Sequence, residues 1–491
     1  MLSKDLCVIF FCSLGLVANA LDTLVGNLLP EEDEGKIADL EYVREKLNAF
    51  RSQEGQVLPT PPIWRDDDER NMTLPSWMDT SELSEDTEKV QFRSAKDPEG
   101  SQGKNITGDI ILTPQQVDHL YARSKRQASR RPREMRWPTD REGFVPYYFD
   151  ASIAEDVKRK IGEAIEFWEQ NTCVRFKENG EGRPKLRFYK GAGCFSNVGK
   201  ITTGKEQDLS IGKRCEHFGI IAHEIAHALG FYHEQSRYDR DQFLDLNLRN
   251  VERPMVANFR KESPATNDNY GLPYDYGSDM HYSDEGFAIN KHIPVIMAKD
   301  HLHQHTMGQR IGPSFLDVLA MNTRYECHDR CSSPTAAVCF NGGYPNPNNC
   351  KECICPWSFE GDCLTRDQGL NGTSSCGVDL RAETHWATLE AKVGDGKVKE
   401  RHDHCHWLIF AEEGKRVEIR IESIGGPFSH ACFWNNVEFK MKADVRNSGY
   451  RMCGDGQEEE KVLVSETNLA VVSAYARTSQ DFKISYRSLT I

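Results

Sequence analysis

The chain has 491 residues, which is long enough for several domains. Its 61 basic and 75 acidic residues give a formal net charge of −14, which argues against nucleic acid as the main partner. Sixteen cysteines are typical of an extracellular, disulfide-bonded protein and are unusual in a reducing cytosol.

Residues 1–20 have the pattern of a signal peptide. Lys4 supplies a positive charge, residues 6–17 form an apolar run too short to span a bilayer, and Ala18-Asn19-Ala20 is a small-x-small cleavage site. Cleavage there removes Cys7 and Cys12, which leaves an even number of cysteines. Since no later segment is long and apolar enough to cross a membrane, we predict a soluble, secreted mature protein.

Residues 21–126 are predicted to form a pro-segment. The stretch is polar and acidic, with little apolar material for a core. It ends at Arg123-Ser124-Lys125-Arg126, a dibasic site of the kind that secretory convertases cut. The alternative interpretation is an ordinary basic patch. Because this site separates an acidic stretch from a structured region, we predict instead that the chain is cleaved after Arg126.

The next region, residues 127–327, combines strand and helix signals. Residues 144–150 and 186–189 are predicted strands, and residues 191–199 a tight glycine-rich loop. Ser152 is a candidate N-cap, with Glu155 completing a capping box. The predicted helix carries apolar residues at helical spacing: Ile153, Val157, Ile161, Ile165 and Trp168.

A metal-binding pattern occupies residues 223–234, His-Glu-Ile-Ala-His-Ala-Leu-Gly-Phe-Tyr-His-Glu. His223 and His227 project from one helix face, at the spacing two imidazoles need to hold one zinc ion at roughly 2.0–2.1 Å. Gly230 can adopt the positive φ that ends the helix and brings His233 round as a third ligand. Three neutral donors leave a fourth position open, which is typical of catalytic zinc.

Glu224 lies beside the two helical histidines, where it can take a proton from a water in the open position. The competing interpretation is a buried helix whose histidines only satisfy backbone groups. A glycine and a third histidine at fixed offsets make an accidental match rare, so the sequence favours a catalytic metal site.

The pattern H-E-x-x-H-x-x-G-x-x-H resembles that of the metzincin peptidases, and Glu234 narrows the resemblance to astacins. A second match is Ser278-Asp279-Met280-His281-Tyr282, which resembles the astacin S-x-M-H-Y turn. The resemblance implies an α+β metzincin fold, with Met280 as an apolar floor beneath the metal. It also implies that Tyr282 is a further zinc ligand that swings away to stabilise the oxyanion. A thermolysin-type peptidase, whose third ligand is a glutamate, is disfavoured by His233.

The same resemblance assigns roles in the pro-segment. Ile106-Thr107-Gly108-Asp109 resembles the astacin F-x-G-D motif, with Ile in place of Phe. Asp109 would then occupy the open zinc position and hold the enzyme latent. After cleavage, the freed amino group of Gln127 would bury against Glu234. The likeness also implies two disulfides in this region, Cys194 with Cys215 and Cys173 with Cys327.

Residues 328–363 form a cysteine-rich module that is too short for a core and must be held by disulfides. The pattern resembles an EGF-like module, which implies the pairs Cys331–Cys350, Cys339–Cys353 and Cys355–Cys363. Spacing alone leaves fifteen connectivities. A four-cysteine zinc site is the competing interpretation, but the segment has a single C-x-x-C pair.

Residues 364–375 are predicted to be a linker. In residues 376–491, apolar and polar side chains alternate in several segments, which predicts the strands of an all-β sandwich. Cys376/Cys405 and Cys432/Cys453 resemble the pairs of a CUB domain. The sequence Cys432-Phe433-Trp434-Asn435 lacks the aspartate that many CUB domains carry, which argues against calcium there. Candidate glycosylation sites are Asn71, Asn105 and Asn371.

These features together predict a secreted zinc endopeptidase with one Zn²⁺ per catalytic domain, made as a latent zymogen. Its expected substrates are extracellular or matrix proteins, and the EGF-like and CUB modules, found together in modular astacins such as the nematode ones, would position it on matrix or cuticle components. The alternative is a catalytically silent extracellular binding or adhesion protein that acts through those modules. The intact Glu224, ligand set and cleavage site argue against that alternative.

Overall fold

The fold is that of a computed structural model, which describes residues 106–107, 109–111, 135–139 and 143–490, except 203, 373–374, 427 and 455–460. Several predicted features lie outside the described residues. They are the signal peptide, most of the pro-segment, the sequons at Asn71 and Asn105, and the cleavage point at Arg126 and Gln127.

Three regions follow one another along the described chain. The α-helices are α1 Glu155–Asn171, α2 Phe218–Ala228 and α3 Phe315–Arg324. Strands of the first region are β1 Ile106–Thr107, β2 Ile110–Ile111, β3 Val145–Phe149, β4 Phe176–Glu178, β5 Lys185–Tyr189, β6 Cys194–Asn197, β7 Glu206–Ile211, β8 Leu244–Leu246 and β9 Ile296–Ala298. The second region contains β10 Tyr344–Asn346, β11 Asn349–Ile354, β12 Phe359–Glu360 and β13 Thr365–Arg366. The third contains β14 Asp379–Arg381, β15 Ala387–Val393, β16 Asp403–Phe410, β17 Arg416–Ile424, β18 Asn435–Lys440, β19 Tyr450–Met452, β20 Val462–Val464, β21 Leu469–Ala476 and β22 Gln480–Leu489.

A mixed sheet organises the first region, with strand order β1-β2-β6-β7-β5-β3-β4. Strands β3, β4, β5 and β7 run parallel, and β6 is antiparallel to β7. The segment predicted to be the pro-segment supplies the β1–β2 hairpin, and β2 pairs in parallel with β6. The main-chain N–H of Ser196 donates to the Asp109 carbonyl at 2.9 Å, so this pairing fixes where Asp109 lies.

Helices α1 and α2 pack against each other below the sheet. Along α1, the buried residues are Val157, Ile161, Ala164, Ile165 and Trp168, one face at helical spacing. The Trp168 indole N–H donates to the Ala222 carbonyl on α2 at 3.2 Å. All eleven residues of α2 are buried, so this helix forms the centre of the first region.

Two local predictions in this region were wrong. Ser152 is not the N-cap, because its hydroxyl donates to the Asp150 carboxylate at 2.6 Å and α1 starts at Glu155 with Ala154 before it. The predicted loop at residues 191–199 contains strand β6, which pairs with β7. Buried Phe195 and the Cys194–Cys215 disulfide hold this strand against the sheet.

Among the described residues, the buried apolar side chains of the second region join the cores of its neighbours, with Tyr344 and Ile354 in that of the first region and Phe359 packed on the third. Three disulfides also hold its two small hairpins. The third region is an all-β sandwich with strand orders β14-β16-β21-β18-β19 and β15-β22-β17-β20. Alternate residues Val417, Ile419 and Ile421 of β17 are fully buried in its core. Among the described residues, no helix combines the length and apolarity needed to cross a bilayer.

The sandwich contacts the first region through polar groups. The Ser448 N–H donates to the Asp275 carboxylate at 3.2 Å, and the Thr306 hydroxyl donates to the Gly449 carbonyl at 3.3 Å. Arg159 on α1 pairs with Glu400 at 3.0 Å. These contacts join the sandwich to α1 and to residues 275 and 306 of the first region.

Candidate active site

Helix α2 and the turn that follows it bring three histidines together. His223 and His227 are one helical turn apart, and Gly230 has φ 107°, a left-handed conformation that favours glycine. A Cβ at Gly230 would overlap the Arg324 guanidinium, so the tight turn also leaves no room for a side chain. The reversed chain then carries His233 back towards the helix.

The ring nitrogens converge at a spacing that suits a metal ion. The Nε2 atoms of His227 and His233 are 3.2 Å apart, close to the about 3.3 Å expected for two nitrogens bound tetrahedrally to one zinc. His223 Nδ1 donates to the Asp279 carbonyl and His227 Nδ1 to the Phe231 carbonyl, each at 2.7 Å. These outer bonds leave the Nε2 lone pairs directed at the common centre.

Burial keeps the histidines in the form that binds metal. It lowers the pKa of His233 to about 4 and lowers the pKa of His223 well below its usual value. Both rings are therefore neutral near pH 7, with a lone pair available. This donor set fits zinc, which accepts imidazole nitrogen and leaves one coordination position for oxygen.

Asp109, in the segment predicted to be the pro-segment, lies where a fourth ligand is expected. Its Oδ2 is 3.0 Å from His233 Nε2, 3.2 Å from His223 Nε2 and 3.9 Å from His227 Nε2. The side chain is fully buried. Burial by itself raises the carboxyl pKa, but the electrostatic effect of His233 and the contacts with the three imidazole rings outweigh it and hold the pKa well below its usual value.

Tyr282 closes the other side of this carboxylate. Its hydroxyl donates to Asp109 Oδ1 at 2.9 Å, and its ring centroid is 4.3 Å from that of His233. Burial, followed by the negative charge of Asp109, raises the Tyr282 pKa well above its usual value. Met280, two residues earlier, is buried in the core around α2.

Glu224 is a buried carboxylate with neither oxygen hydrogen-bonded among the described residues. Burial raises its pKa well above the usual value, and the negative charge of Asp109 raises it further. Burying an unpaired carboxylate costs free energy, and buried polar groups are normally paired. An unpaired one in this position therefore indicates a function in the site. Its position next to His223 gives the site a proton acceptor.

The structure adds a contributor that the sequence reasoning missed. Asp317 at the start of α3 accepts from the Ser278 hydroxyl at 2.6 Å and from the Asp279 N–H at 2.9 Å. It thereby holds the turn at residues 278–282 beneath the histidines. The pattern Ser314-x-x-Asp317 before an apolar run was the available signal, because it marks a capping box, which the structure contains.

Glu234 lies beside a cavity of about 150 Å³ that Arg237 and Asp275 also line. Its Oε1 accepts from Arg237 and from the Asp275 N–H, each at 3.0 Å. Burial raises the Glu234 pKa to about 7. Since Gln127 lies outside the described residues, its predicted contact with Glu234 stays a prediction.

The remaining site residues are disulfides and a sequon. The structure joins the pairs that the family resemblance implies: Cys173–Cys327, Cys194–Cys215, Cys331–Cys350, Cys339–Cys353, Cys355–Cys363, Cys376–Cys405 and Cys432–Cys453. Asn371 is half-buried, and its side-chain oxygen accepts from the Gly394 N–H at 3.0 Å. Its glycosylation stays a prediction.

Comparison with known proteins agrees with this geometry. The model of the Astacin peptidase family matches residues 129–326. Zinc metalloproteinase nas-27 of Caenorhabditis elegans is 39% identical over 397 residues, covering 78% of this chain and 90% of that protein. Zinc metalloproteinase nas-31 of the same species is 35% identical, and this chain spans 63% of its length.

Among solved structures, high choriolytic enzyme 1, a hatching enzyme zinc-protease of the medaka Oryzias latipes, is 30% identical. The match covers 41% of this chain and 98% of that one, with a TM-score of 0.37. The sequence relationship to nas-27 and the match of the family model both include the histidine cluster. The chain belongs to the astacin family and is a zinc metalloendopeptidase.

Proposed function

We propose that the chain is the latent form of a secreted astacin that hydrolyses internal peptide bonds of extracellular or matrix proteins. The observation that carries latency is Asp109, which is buried with its carboxylate 3.0 Å and 3.2 Å from two of the three histidine nitrogens. A carboxylate there denies the open position to water and to a substrate carbonyl.

In the processed enzyme, we propose that His223, His227 and His233 hold the zinc ion. Zinc in such a site polarises a carbonyl and lowers the pKa of water. Glu224 takes the proton of the attacking water and passes one to the leaving amine. The Tyr282 hydroxyl, freed from Asp109, donates to the oxyanion.

Secretion is supported by the seven disulfides among the described residues, because disulfides form in oxidising compartments. The proposal keeps the boundaries predicted from the sequence. They are 1–20 for the signal peptide, 21–126 for the pro-segment, 328–363 for the EGF-like module, 364–375 for the linker and 376–491 for the CUB-like domain. The two modules would present extracellular matrix or cuticle components to the catalytic domain.

The latency proposal is tested on the full chain by comparing Asp109→Ala with wild type before cleavage at Arg126. A quenched fluorescent peptide measures hydrolysis, and zinc content is measured in the same samples. We expect uncut wild type to be silent and uncut Asp109→Ala to be at least ten-fold more active, because the blocking carboxylate is gone. After cleavage at Arg126, both should reach similar rates.

Asp118→Ala makes the same chemical change elsewhere in the pro-segment and should leave uncut protein silent. Uncut Asp109→Ala as inactive as wild type, with zinc bound and full activity after cleavage, would refute the role of Asp109. A zinc-loaded, processed wild type that cleaves no peptide would instead favour the silent binding protein.

A further inference from the structure

A second group of metal-ligating side chains lies in the C-terminal part of the chain, away from the active site. Its members are Asp367, His404 and His406, and their candidate ligand atoms all lie within 4.8 Å of one another. The two histidines are two residues apart on β16, so both project from the same face of the sheet. Their ring centroids are 5.4 Å apart.

The outer contacts of both rings orient them as metal ligands. His406 is buried, and its Nδ1 is 2.8 Å from the Ser473 hydroxyl on the neighbouring strand β21, directly opposite in register. His404 Nδ1 is 3.5 Å from the His402 carbonyl. When Nδ1 carries the proton in each ring, Nε2 keeps its lone pair, which is the usual arrangement of metal-binding histidines.

Asp367 reaches the histidines because two short contacts hold the chain after β13. Its main-chain N–H donates to the Ser358 carbonyl at 2.9 Å, and its Oδ1 accepts from the Gly369 N–H at 2.7 Å. The Ser358 hydroxyl lies 2.9 Å from that of Ser473, the same serine that contacts His406. The main chain of Asp367 and the His406 ring are thus linked through Ser358 and Ser473, and His404 lies two residues from His406 on the same strand.

Charged side chains near His406 act in both directions: Lys440 and Arg366 disfavour a cation there, and Glu438 favours one. The nearest arginine in sequence, Arg366, is paired with Asp379 at 3.3 Å and donates to the carbonyls of Asp367 and Cys376. Two imidazoles and one carboxylate suit zinc and neighbouring transition metals better than calcium or magnesium, which prefer all-oxygen sites. Asp367 and His404 are half-exposed, so water can complete the coordination.

We propose that Asp367, His404 and His406 form a second transition-metal site, which takes Zn²⁺ and ties the end of the disulfide-rich module to the sandwich. Asp367 follows β13, which pairs with β12 of that module, whereas both histidines lie on β16 of the sandwich. The bound ion would act as a cross-link between the two regions, independent of peptide hydrolysis.

The test measures zinc content of the full chain after removal of metal by a chelator, reloading with zinc sulfate and gel filtration. We expect two zinc ions per wild-type chain and one in His404→Gln or Asp367→Asn. His385→Gln changes an exposed histidine of the same sandwich outside the cluster and should keep two. These variants are chosen because both positions are half-exposed and tolerate isosteric polar replacement better than buried His406.

The double variant His223→Ala/His227→Ala isolates the proposed site. It should bind one zinc ion, and that ion should raise the melting temperature of the full chain, as any ligand of the folded state does. Adding His404→Gln should abolish both the binding and the shift. A double variant that binds no zinc, or a zinc-induced shift that persists with His404→Gln, would overturn the proposal whatever the fate of the active site.

Discussion

At the scale of single residues, the active site contains a buried carboxylate, that of Glu224. Neither oxygen of Glu224 has a hydrogen-bond partner among the described residues, and burial raises its pKa. An unpaired group of this kind is normally removed from a core, since its desolvation is not offset. We propose that Glu224 is kept one residue after His223 because it accepts a proton during catalysis.

Glu224→Gln keeps the shape of the side chain and removes its ability to accept a proton. We expect zinc content to be unchanged and kcat of the processed enzyme to fall by about 10²–10⁴-fold, the usual contribution of a general base. The melting temperature is expected not to fall, because no hydrogen bond is lost. Steady-state kinetics, metal analysis and thermal unfolding measure the three quantities.

Glu181→Gln is the matched control, because Glu181 is an exposed glutamate of the same region. It should leave kcat within about two-fold of wild type, an expected tolerance for a surface position. Near-normal turnover in zinc-loaded Glu224→Gln would rule out the proposed base.

At the scale of elements, α3 supports the active site from outside it. Ser314 accepts from the Asp317 N–H, and the Asp317 carboxylate accepts from the Ser314 N–H, which completes a capping box. The same carboxylate holds Ser278 and Asp279 in the turn beneath the histidines. The cap therefore joins the start of a helix to the position of the metal site.

Ser314→Ala removes one cap hydrogen bond and should lower the free energy of unfolding by about 0.5–2 kcal/mol. Asp317→Ala should cost more, because it also releases the 278–282 turn, and should lower kcat as well. Urea unfolding and peptide hydrolysis measure these effects. Ser332→Ala, at an exposed serine, is the control; equal losses for Ser314 and Ser332 would contradict the cap's contribution.

At the scale of the whole molecule, a histidine lies where the catalytic region meets the sandwich. The His303 ring is stacked on Tyr276, with centroids 4.4 Å apart, and lies 4.5 Å from Tyr450 of the sandwich. Burial lowers the His303 pKa to about 4, from a usual value of 6.5, although nearby Asp300 acts in the opposite direction. The contact therefore requires the neutral ring.

The pKa of His303 is lower in the folded chain than in the unfolded chain. As the pH falls, the ring is therefore protonated in the unfolded chain before it is protonated in the folded one. The stability contributed by neutral His303 is complete above pH 6.5 and is lost as the pH falls towards 4. This loss is expected to be about 2–3 kcal/mol. His303→Phe should keep the ring contacts and reduce the fall in unfolding free energy between pH 7 and pH 4.5.

Other histidines, such as half-buried His402, also have a lowered pKa, so the unfolding free energy of every variant falls to some extent with pH. His301→Phe, an exposed histidine two residues away, should leave that slope unchanged. If the unfolding free energies of His303→Phe and wild type fell equally between pH 7 and pH 4.5, the proposed contribution of neutral His303 would be contradicted.

The sequence by itself determined the features that depend on neighbouring residues. His223 and His227 converge because a helix places residues four apart on one face, and Gly230 permits the turn to His233, so a short pattern contains the metal site. The family resemblance added predictions for Asp109, Tyr282 and the cysteine pairs. The Ser152 cap failed at equally short range, because Asp150 competes for its hydroxyl.

Only the tertiary structure decided which distant segments meet. The pairing of β2 with β6 sets Asp109 among the histidines, although His223 is 114 residues away in sequence. The capping box links α3 to the 278–282 turn, and Asp367 meets His404 and His406 across two regions. These contacts follow from strand pairing and packing of separate elements, which a local pattern does not encode because it carries no information about their distance in space.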